Sequence, residues 1–557
     1  MSNEKVSIVP QILEKTASRI PDRIAMMVFD GSGGSTELTY SELLQKVRKL
    51  ASFLKHAGFK KGQHIAVLGK NSPEWAITYF AIQTVGCVTI PLDPALRPQE
   101  LRYIIRHSDA AAIFNNERFT APLREENGFE SIKQYNLEDI WKIMESEIEI
   151  LPSFSNQDAD LPASIIYTSG TTGSPKGVVL SHRNIIGDID GMKKRVDLFS
   201  EDTFISVLPI HHSFEGTCGF LTPISIGSGI CYARALRAKE ILEDIQASNA
   251  TIILGVPLLF DKIYKGIIKG VNKKGGIAKL AFGSVMGVTK LLDGTISRRA
   301  GIKTMKVFRK KAGFGNLRLM ISGGAAIRPE IVDFFNYFGV TCLQGYGLSE
   351  TSPVLAASPT TSKKSASVGP AISGVQLKID LPNQDGVGEI LARGVPVFQG
   401  YYKNPEATRD AFTPDGWFKT GDLGKIDDEG FLFISGRAKD VIVTAAGKNV
   451  YPDEIEEKIN ASKLVTESII IGVKHANSEE PFAIIVPDLD GLDKYFSKKW
   501  TDDDVEKVMK ELIEKVNNQI APYKRIKGFK IQQEEFPKTS TKKIKRYLYY
   551  GKGIRID

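Results

Sequence analysis

One loop limits what this chain can fold into more than any other feature. The residues from Ala163 to Leu180 read A-S-I-I-Y-T-S-G-T-T-G-S-P-K-G-V-V-L. The β-branched run before the loop predicts a buried strand, and Val-Val-Leu after it predicts a second buried segment. Glycines let backbone N–H groups approach an anion, hydroxyls add donors, and Lys176 adds a positive charge. The stretch therefore predicts a rigid phosphate-binding loop.

The spacing of the loop argues against the most familiar nucleotide-binding pattern. In G-x-x-x-x-G-K-[ST] the lysine follows a glycine and precedes a hydroxyl residue that holds magnesium. Here Lys176 follows Pro175 and precedes Gly177, so a P-loop NTPase is not predicted. A flexible glycine-serine linker is the other alternative, and the tight apolar flanks argue against it.

The eleven residues Y-T-S-G-T-T-G-S-P-K-G, 167–177, resemble the signature loop of the adenylate-forming superfamily, which includes acyl-CoA synthetases and luciferases. The resemblance implies an α/β fold: a large N-terminal domain of layered sheets and a small mobile C-terminal α+β domain. It implies ATP, Mg²⁺ and coenzyme A as cofactors. For ATP and the metal it implies these residues: Thr168, Ser169, Gly170, Thr171 (also a metal ligand), Thr172, Gly173 and Lys176.

Length and cysteine content indicate a multidomain protein of a reducing compartment. A chain of 557 residues is too long for one core. Its four cysteines form no C-x-x-C pair, so neither a zinc site nor a disulfide framework is predicted. The start of the chain has no signal-peptide core, and no apolar run has bilayer-spanning length. We expect a cytoplasmic protein.

Positive charge is concentrated in one segment. Between Asp261 and Lys311 there are fourteen lysines and arginines and two aspartates, a local charge of +12 in a chain of net charge +8. A solvated helical insertion explains this as well as a functional surface does. The functional alternative is peripheral contact of 262–311 with anionic lipid at the inner face of the membrane, because apolar residues are interspersed. Nucleic acid is not expected, since no binding motif accompanies the charge.

Strands alternate with helices in the first half of the chain, which predicts parallel α/β layers. His64–Leu68 and 85–92 are predicted strands, and a helix is predicted to open at 71–74 and to run to Thr84. The stretch 38–43 predicts a strand end that passes into a helix capped by Ser41.

Two later segments border the acyl group in the superfamily. Val207–Gly216 places two histidines at a predicted strand end. A lone histidine is more often a packing residue than a catalyst. The segment resembles the long-chain acyl-CoA synthetase form with glutamate at Glu215, which implies that His212 lines the carboxylate end of the acyl pocket. The S-G-G-A segment implies Gly323 and Gly324 at the substrate, and Gly324 and Ala325 at adenine.

The segment Gln344–Ser352 combines an aromatic ring with a carboxylate. Tyr346 between Gly345 and Gly347 suits the stacking of a purine, and Glu350 is a hard oxygen ligand. By resemblance to Y-G-x-[ST]-E-T, Glu350 binds Mg²⁺ and Thr351 contacts the α-phosphate.

Further segments supply the ribose site and a hinge. An aspartate at a position like that of Asp422 most often stabilises a turn, but a ribose diol also needs a hydrogen-bond acceptor of this kind. The resemblance assigns Asp422 and Arg437 to ribose, Lys439 to the hinge and Gly447 to the cofactor. A hairpin and smaller α/β units follow, so the domains are predicted as 1–436 and 437–557.

A basic run near the C-terminus is ordinarily a solvated tail. It resembles P-K-[TS]-x-[TSV]-G-K-[IV], whose lysine enters the active site during adenylation, and that lysine aligns with Lys543. Lys542 stands where glycine is usual, so the choice between the two lysines stays open.

The resemblance implies an AMP-forming acid-thiol ligase that activates a medium- to long-chain fatty acid as acyl-AMP and then forms acyl-CoA. Its catalytic residues would be Lys543, Thr351, Glu350 and Lys176. An acyl carrier protein as acceptor, an aryl or other acid, and a non-catalytic acyl- or nucleotide-binding protein are the alternatives. Fatty acid and CoA are the expected small-molecule partners, and a homodimer is left open.

Overall fold

Contacts within the chain divide it into two units. This computed structural model describes residues 6–120, 132–145, 149–151, 154, 158–168, 175–273, 276–295, 305–444, 448–475, 478–497, 499–539 and 543–550. The first unit contains Met1–Leu377 and Ala392–Phe418, and the second contains Lys378–Leu391 and Lys419–Asp557. The domain boundary expected after residue 436 stays a prediction.

Two sheets dominate the described part of the first unit. The eight-stranded sheet has the spatial order β14-β13-β12-β11-β9-β10-β1-β2 and contains β1 Ile24–Phe29, β2 Ser35–Thr39, β9 Thr203–Ser206, β10 Gly229–Tyr232, β11 Ile252–Gly255, β12 Leu319–Ser322, β13 Thr341–Gly347 and β14 Val354–Ala357. The seven-stranded sheet has the order β17-β8-β7-β4-β3-β5-β6 and contains β3 His64–Leu68, β4 Val88–Leu92, β5 Ala110–Asn115, β6 Lys133–Asn136, β7 Pro162–Thr168, β8 Lys176–Ser181 and β17 Gly400–Tyr401.

The centres of both sheets are parallel, as the alternating pattern predicts. β3 pairs in parallel with β4 and β5, and β12 does so with β11 and β13. Antiparallel pairs are β1 with β2, β13 with β14, and β8 with both β7 and β17. The α/β fold class is confirmed. The predicted strand 85–92 begins only at Val88.

The helices of the first unit are α1 Val9–Arg19, α2 Tyr40–His56, α3 Pro73–Thr84, α4 Pro98–His107, α5 Ile140–Glu145, α6 His182–Lys193, α7 Thr222–Ile226, α8 Ala238–Ala247, α9 Pro257–Lys273, α10 Gly276–Thr295, α11 Lys306–Lys311, α12 Pro329–Phe338 and α13 Pro405–Asp410. A π-helical segment covers Phe214–Leu221. The predicted Ser41 cap is wrong: Thr39 caps α2 and accepts the N–H of Glu42, because the helix begins at Tyr40, two residues earlier than a cap at Ser41 predicts.

The second unit has smaller sheets and three further helices in its described residues. A four-stranded sheet in the order β15-β16-β18-β19 contains β15 Val375–Asp380, β16 Gly388–Gly394, β18 Phe418–Ile426 and β19 Leu432–Arg437. The predicted hairpin is β20 Ile442–Val443 with β21 Asn449–Val450, and a last sheet contains β22 Val465–His475, β23 Ser478–Pro487 and β24 Gly528–Ile531. The helices are α14 Pro452–Asn460, α15 Leu489–Phe496 and α16 Asp502–Asn517.

Each unit has its own apolar core. α3 is buried along its whole length, with Trp75 and Phe80 in the large core of the first unit. A separate core in the second unit includes Ile455 and Met509. Among the helices in the described ranges, none has both the length and the apolar character needed to cross a membrane.

Candidate active site

The phosphate loop connects β7 to β8, which are antiparallel neighbours in the seven-stranded sheet. Thr168, the last residue of β7, pairs with Lys176, the first residue of β8. A Cβ on Gly177 would lie 2.9 Å from the Ile165 side chain, which explains the glycine in this strand. The two ends of the loop are therefore held at neighbouring positions. The residues expected at the tip, Ser169, Gly170, Thr171, Thr172 and Gly173, lie outside the described residues.

Lys176 and Glu350 are brought together by a residue that the sequence analysis missed. The Tyr401 hydroxyl donates a 2.9 Å hydrogen bond to Glu350 Oε1. Lys176 Nζ lies 5.0 Å from the centroid of the Tyr401 ring. β17 pairs with β8, with Tyr401 opposite Val178, and this pairing carries the tyrosine to the loop. The pair of tyrosines at 401–402 was the available signal in the sequence.

The turn that presents Glu350 is built by short local contacts. The backbone N–H of Phe398 donates a 2.8 Å hydrogen bond to the Glu350 carbonyl. Thr351 is fully buried, and its hydroxyl donates to the Pro353 carbonyl at 2.6 Å. The hydroxyl of Thr351 thus serves its own turn, and its contact with the α-phosphate stays a prediction. Glu350 itself is half-buried.

Tyr346 is partly buried near the end of β13, against the large core. The following glycine is needed for packing, because a Cβ on Gly347 would collide with the Pro353 carbonyl. A Cβ on Gly345 would meet no such obstacle, since the nearest atom to it would be the Ala356 carbonyl oxygen at 3.8 Å. Only the first glycine therefore leaves room beside the ring, and the stacking of adenine on Tyr346 stays a prediction.

The two glycines after β12 lie in different surroundings. Gly323 is buried, and a Cβ there would lie 2.8 Å from the Phe214 ring. Gly324 and Ala325 are exposed, and Gly324 has φ +83°, which favours glycine. Gly323 therefore permits close packing with an aromatic ring of the histidine segment, whereas Gly324 permits the turn.

The two histidines lie in the turn between β9 and the π-helical segment, not at the strand end itself. His212 is half-buried and His211 is buried, with their ring centroids 4.3 Å apart. Nε2 of His211 lies 3.5 Å from Asp93 Oδ1. The atoms of Asp93, His211 and His212 that could bind a metal lie within 4.8 Å of one another. This group was not predicted from the sequence, because a zinc site was considered only from the cysteines.

A cavity beside the histidines is mostly apolar. It is lined by Trp75, Tyr79, Pro91, Ser164, Ile166, Leu180, Ile185, Ile210, His211, His212, Ser213, Gly216 and Thr217. An apolar cavity with a few polar groups suits the binding of a small apolar ligand. The cavity has a volume of only about 20 Å³, which is room for about one water molecule, so it does not hold an acyl chain as it stands, and the pocket role of His212 stays a prediction.

Glu215 is buried, and no lysine or arginine in the described part of the chain forms an ion pair with it. Its Oε1 accepts the Ser206 hydroxyl at 2.5 Å, and Ser206 Oγ in turn accepts the amide of Asn71 at 2.9 Å. Burial raises the pKa of Glu215 to about 8, and the Ser206 hydrogen bond offsets only part of that shift. The side chain is therefore mostly neutral at pH 7.

The ribose candidates lie together in the second unit. Asp422 on β18 is directly opposite Arg437 on β19, and Arg437 Nε lies 2.7 Å from Asp422 Oδ1. Asp422 is buried and Arg437 is half-buried. Lys439 is exposed in the short 3₁₀ turn Ala438–Asp440, and Gly447 lies outside the described residues.

The C-terminal basic run contains lysines in very different surroundings. Lys543 is exposed, and its backbone N–H donates to Thr539 Oγ1 at 3.1 Å. Lys538 is instead held by Glu467 at 2.8 Å and by Glu535 at 2.7 Å. Lys542 lies outside the described residues. Exposure favours Lys543 over Lys538 as a side chain that can reach a substrate.

Solved structures share this fold over nearly the whole chain. ATP-bound MatB from Rhodopseudomonas palustris matches with a TM-score of 0.77 and 25% identity, over 97% of this chain and 98% of that chain. Residues 13–402 match the family model described as AMP-binding enzyme, and residues 454–543 match its C-terminal domain. Fold and match together define an adenylate-forming enzyme.

Curated relatives extend over most of the chain. Long-chain-fatty-acid–CoA ligase FadD15 of Mycobacterium bovis is 31% identical over 493 residues, which are 81% of this chain and 80% of the relative. Long-chain-fatty-acid–[acyl-carrier-protein] ligase AEE15 of Arabidopsis thaliana is 30% identical over 86% of this chain and 76% of the relative. The chain belongs to the AMP-binding enzyme family, and the expected AMP-forming acid-thiol ligase is confirmed.

Proposed function

We propose that this chain is an ATP-dependent acyl-CoA synthetase for medium- to long-chain fatty acids. The observation that carries the proposal is the 31% identity to a long-chain-fatty-acid–CoA ligase over 81% of the chain.

In the first reaction a carboxylate oxygen of the acid forms a bond to the α-phosphorus of ATP, and the bond to pyrophosphate breaks. We assign the loop from Thr168 to Lys176 to the β- and γ-phosphates, and Asp422 with Arg437 to the ribose. Lys543 would bridge the acid's carboxylate and the α-phosphate. These groups act by position and charge, because phosphoryl transfer needs little covalent help from the protein.

Glu350 fits a magnesium ligand by its donor type. A carboxylate oxygen is the hard ligand that Mg²⁺ prefers, and the Tyr401 hydroxyl occupies only Oε1 by the hydrogen bond described above. When bound, Mg²⁺ would neutralise phosphate charge. Thr171 is the second candidate ligand.

In the second reaction the thiol sulfur of CoA forms a bond to the acyl carbonyl carbon, its proton is lost, and AMP leaves. We propose that the predicted C-terminal domain, 437–557, turns about Lys439 between the reactions, so that Lys543 serves only the first. The hairpin that contains Gly447 would then admit the pantetheine arm.

Lys543→Ala tests this division of labour. Pyrophosphate release should fall by about 10²–10³-fold, because one charged contact to the reacting phosphate is lost. Thioester formation from preformed acyl-AMP should stay within twofold of wild type. Lys542→Ala is the matched control and should leave both reactions nearly unchanged. An equal fall in both half-reactions for Lys543→Ala would contradict the assigned role.

A panel of acids of increasing chain length in ATP–pyrophosphate exchange tests the substrate class. We expect exchange to be strongest with medium- or long-chain fatty acids and weak with aryl acids. Absence of exchange with every acid would instead favour a non-catalytic protein.

An acyl carrier protein is the second candidate acceptor, because a relative that uses one is 30% identical over 86% of this chain. Parallel assays with CoA and with holo-acyl carrier protein decide between the acceptors. We expect thioester formation with CoA, and transfer only to the carrier protein would overturn that choice.

The basic segment supports a further partner, an anionic membrane surface. Lys262, Lys265 and Lys269 are exposed on α9, and Leu280 on α10 is 72% exposed. A basic helix with exposed apolar residues suits anionic lipid. The inner membrane face, the homodimer and the absence of nucleic acid binding stay predictions.

Sedimentation with vesicles tests the membrane contact. The protein should bind phosphatidylglycerol vesicles and not phosphatidylcholine vesicles, and 0.5 M salt should release it, since salt screens exposed charges. Reversing Lys262, Lys265 and Lys269 to Glu should abolish binding. Reversing the exposed Lys507 and Lys510 on α16 is the control. Binding that survives reversal on α9 would contradict the proposal.

A further inference from the structure

We propose that Tyr401 is a positioning residue that couples the phosphate loop to the metal-binding carboxylate, through Lys176 on one side and Glu350 on the other. The inference deepens the proposed function and rests on it. Tyr401 would touch neither substrate nor metal. Its task would be to fix where two charged groups stand before ATP arrives.

The hydroxyl of Tyr401 acts on Glu350. It donates to Oε1 at 2.9 Å, which turns the carboxylate and leaves Oε2 as the available oxygen ligand. A tyrosine hydroxyl carries its proton at neutral pH, so it can serve Glu350 as a donor. A hydrogen bond that orients a metal-binding carboxylate typically changes metal affinity by about 10- to 100-fold.

The ring of Tyr401 acts on Lys176. The ammonium group lies 5.0 Å from the ring centroid, within the range of a cation–π contact. A neutral partner attracts the lysine without cancelling its charge, whereas a carboxylate at the same place would compete with phosphate for the ammonium. The ring therefore places the lysine without bringing a competing anion beside it.

The tyrosine is itself held in place from several sides. Its backbone N–H donates to Thr408 Oγ1 at 2.9 Å, and β17 pairs with β8 beside the loop. Its ring packs against Phe398, with centroids 4.9 Å apart and planes at 69°. Phe398 also donates its N–H to the Glu350 carbonyl. The segment 398–401 thus holds both the tyrosine and the backbone of the glutamate.

The next residue provides a matched comparison within the same chain. The Tyr402 hydroxyl donates to Asp109 Oδ2 at 2.7 Å, and Lys403 Nζ lies 2.6 Å from the same oxygen. Tyr402 therefore makes the same kind of hydrogen bond to a carboxylate, but to one that has no expected role with ATP.

Three variants separate the two contacts: Tyr401→Phe removes only the hydroxyl, Tyr401→Leu removes hydroxyl and ring, and Tyr402→Phe is the control. The first measurement is binding of Mn²⁺·ATP by calorimetry without any acid, with Mn²⁺ in place of Mg²⁺. Tyr401→Phe should bind about tenfold more weakly. Tyr401→Leu should lose a further two- to fivefold or so. Tyr402→Phe should stay within twofold of wild type.

The second measurement is kinetic. Tyr401→Phe should need about tenfold more Mg²⁺ for half-maximal pyrophosphate exchange, with an unchanged KM for the fatty acid and unchanged transfer from preformed acyl-AMP. A purely structural role would instead affect all of these parameters together, or lower the unfolding midpoint. If Tyr401→Leu does not fold, Tyr401→Phe alone decides.

Tyr401→Phe within twofold of wild type in Mn²⁺·ATP affinity would overturn the inference. So would an equal loss in Tyr402→Phe. Failure of the proposed function is a different result. Wild type would then bind Mn²⁺·ATP, but none of the acids tested would support pyrophosphate exchange. The binding comparison among the variants would still test Tyr401.

Discussion

Two carboxyl groups of the first unit and two of the second unit have partners of opposite kinds. In the first unit Glu350 accepts a tyrosine hydroxyl and Glu215 accepts a serine hydroxyl. In the second unit Asp422 pairs with Arg437, and Glu456 pairs with the Arg546 guanidinium. A hydroxyl orients a carboxyl group without supplying charge, whereas a guanidinium neutralises it.

The difference has a functional consequence. A carboxylate that is to hold a metal ion must keep its charge, and a hydroxyl partner allows this for Glu350. A buried carboxyl group without a cation must instead become neutral, as the raised pKa of Glu215 indicates. A guanidinium partner instead holds a carboxyl group in place and compensates its charge, as Arg437 does for Asp422.

Removal of a guanidinium should have the largest effect. Arg546→Ala should lower the free energy of unfolding of the second unit by about 3–5 kcal/mol, because the buried carboxylate of Glu456 loses its cation. Chemical denaturation monitored at Trp500, the tryptophan of this unit, measures the change. Replacing the pair together by Arg546→Met and Glu456→Leu should recover most of the loss. No recovery in the double variant would contradict the comparison.

Removal of the charge of Glu350 should come next. Glu350→Gln should lower pyrophosphate exchange by about 10²–10³-fold, since an amide is a much weaker ligand for a divalent cation. The Tyr401 hydroxyl can still donate to the amide oxygen, so the unfolding midpoint should hardly change. A loss below tenfold in the exchange assay would mean that Glu350 does not hold the metal.

Glu215 should reveal its neutral state through pH. Its pKa is raised from 4.5 to about 8, so the folded protein keeps a proton that the unfolded chain releases between these values. The contribution of Glu215 to stability therefore falls as pH rises from 4.5 to 8. Glu215→Gln has no such proton, so its stability relative to wild type should rise by roughly 1–3 kcal/mol from pH 5 to pH 8.5. Denaturation curves at both pH values measure this, and a difference independent of pH would show that Glu215 is ionised.

The smallest effect is expected at the ribose candidate. Asp422→Asn keeps the shape of the side chain but removes the charge that pairs with Arg437. The KM for ATP should rise by about tenfold, equivalent to about 1.4 kcal/mol, with the KM for the fatty acid unchanged. 2′-Deoxy-ATP supplies the control, because the variant and wild type should use it about equally. If the variant prefers ATP over 2′-deoxy-ATP as strongly as wild type does, Asp422 does not bind the ribose.

Sequence patterns predicted elements best where the signal is local. The helix over 73–84 follows from Ser72 and Pro73, since a cap and a proline at the first turn are sufficient to start it. The cap of α2 was placed at Ser41 instead of Thr39, because neighbouring hydroxyls satisfy the same pattern and only the backbone conformation selects one. The hairpin around the phosphate loop was implied by two apolar flanks, but its strand pairing was not.

From the sequence alone, the family, the α/β class and the identities of Lys176, Glu350, Asp422, Arg437 and Lys543 as candidates could be derived, because each stands in a contiguous motif with its own chemistry. The tertiary structure alone decided how some of them are partnered. Tyr401 joins Lys176 and Glu350 from residues far apart in the chain, and Ser206 partners Glu215 inside the core. Contacts of this kind depend on strand order and packing, which no local pattern of residues encodes.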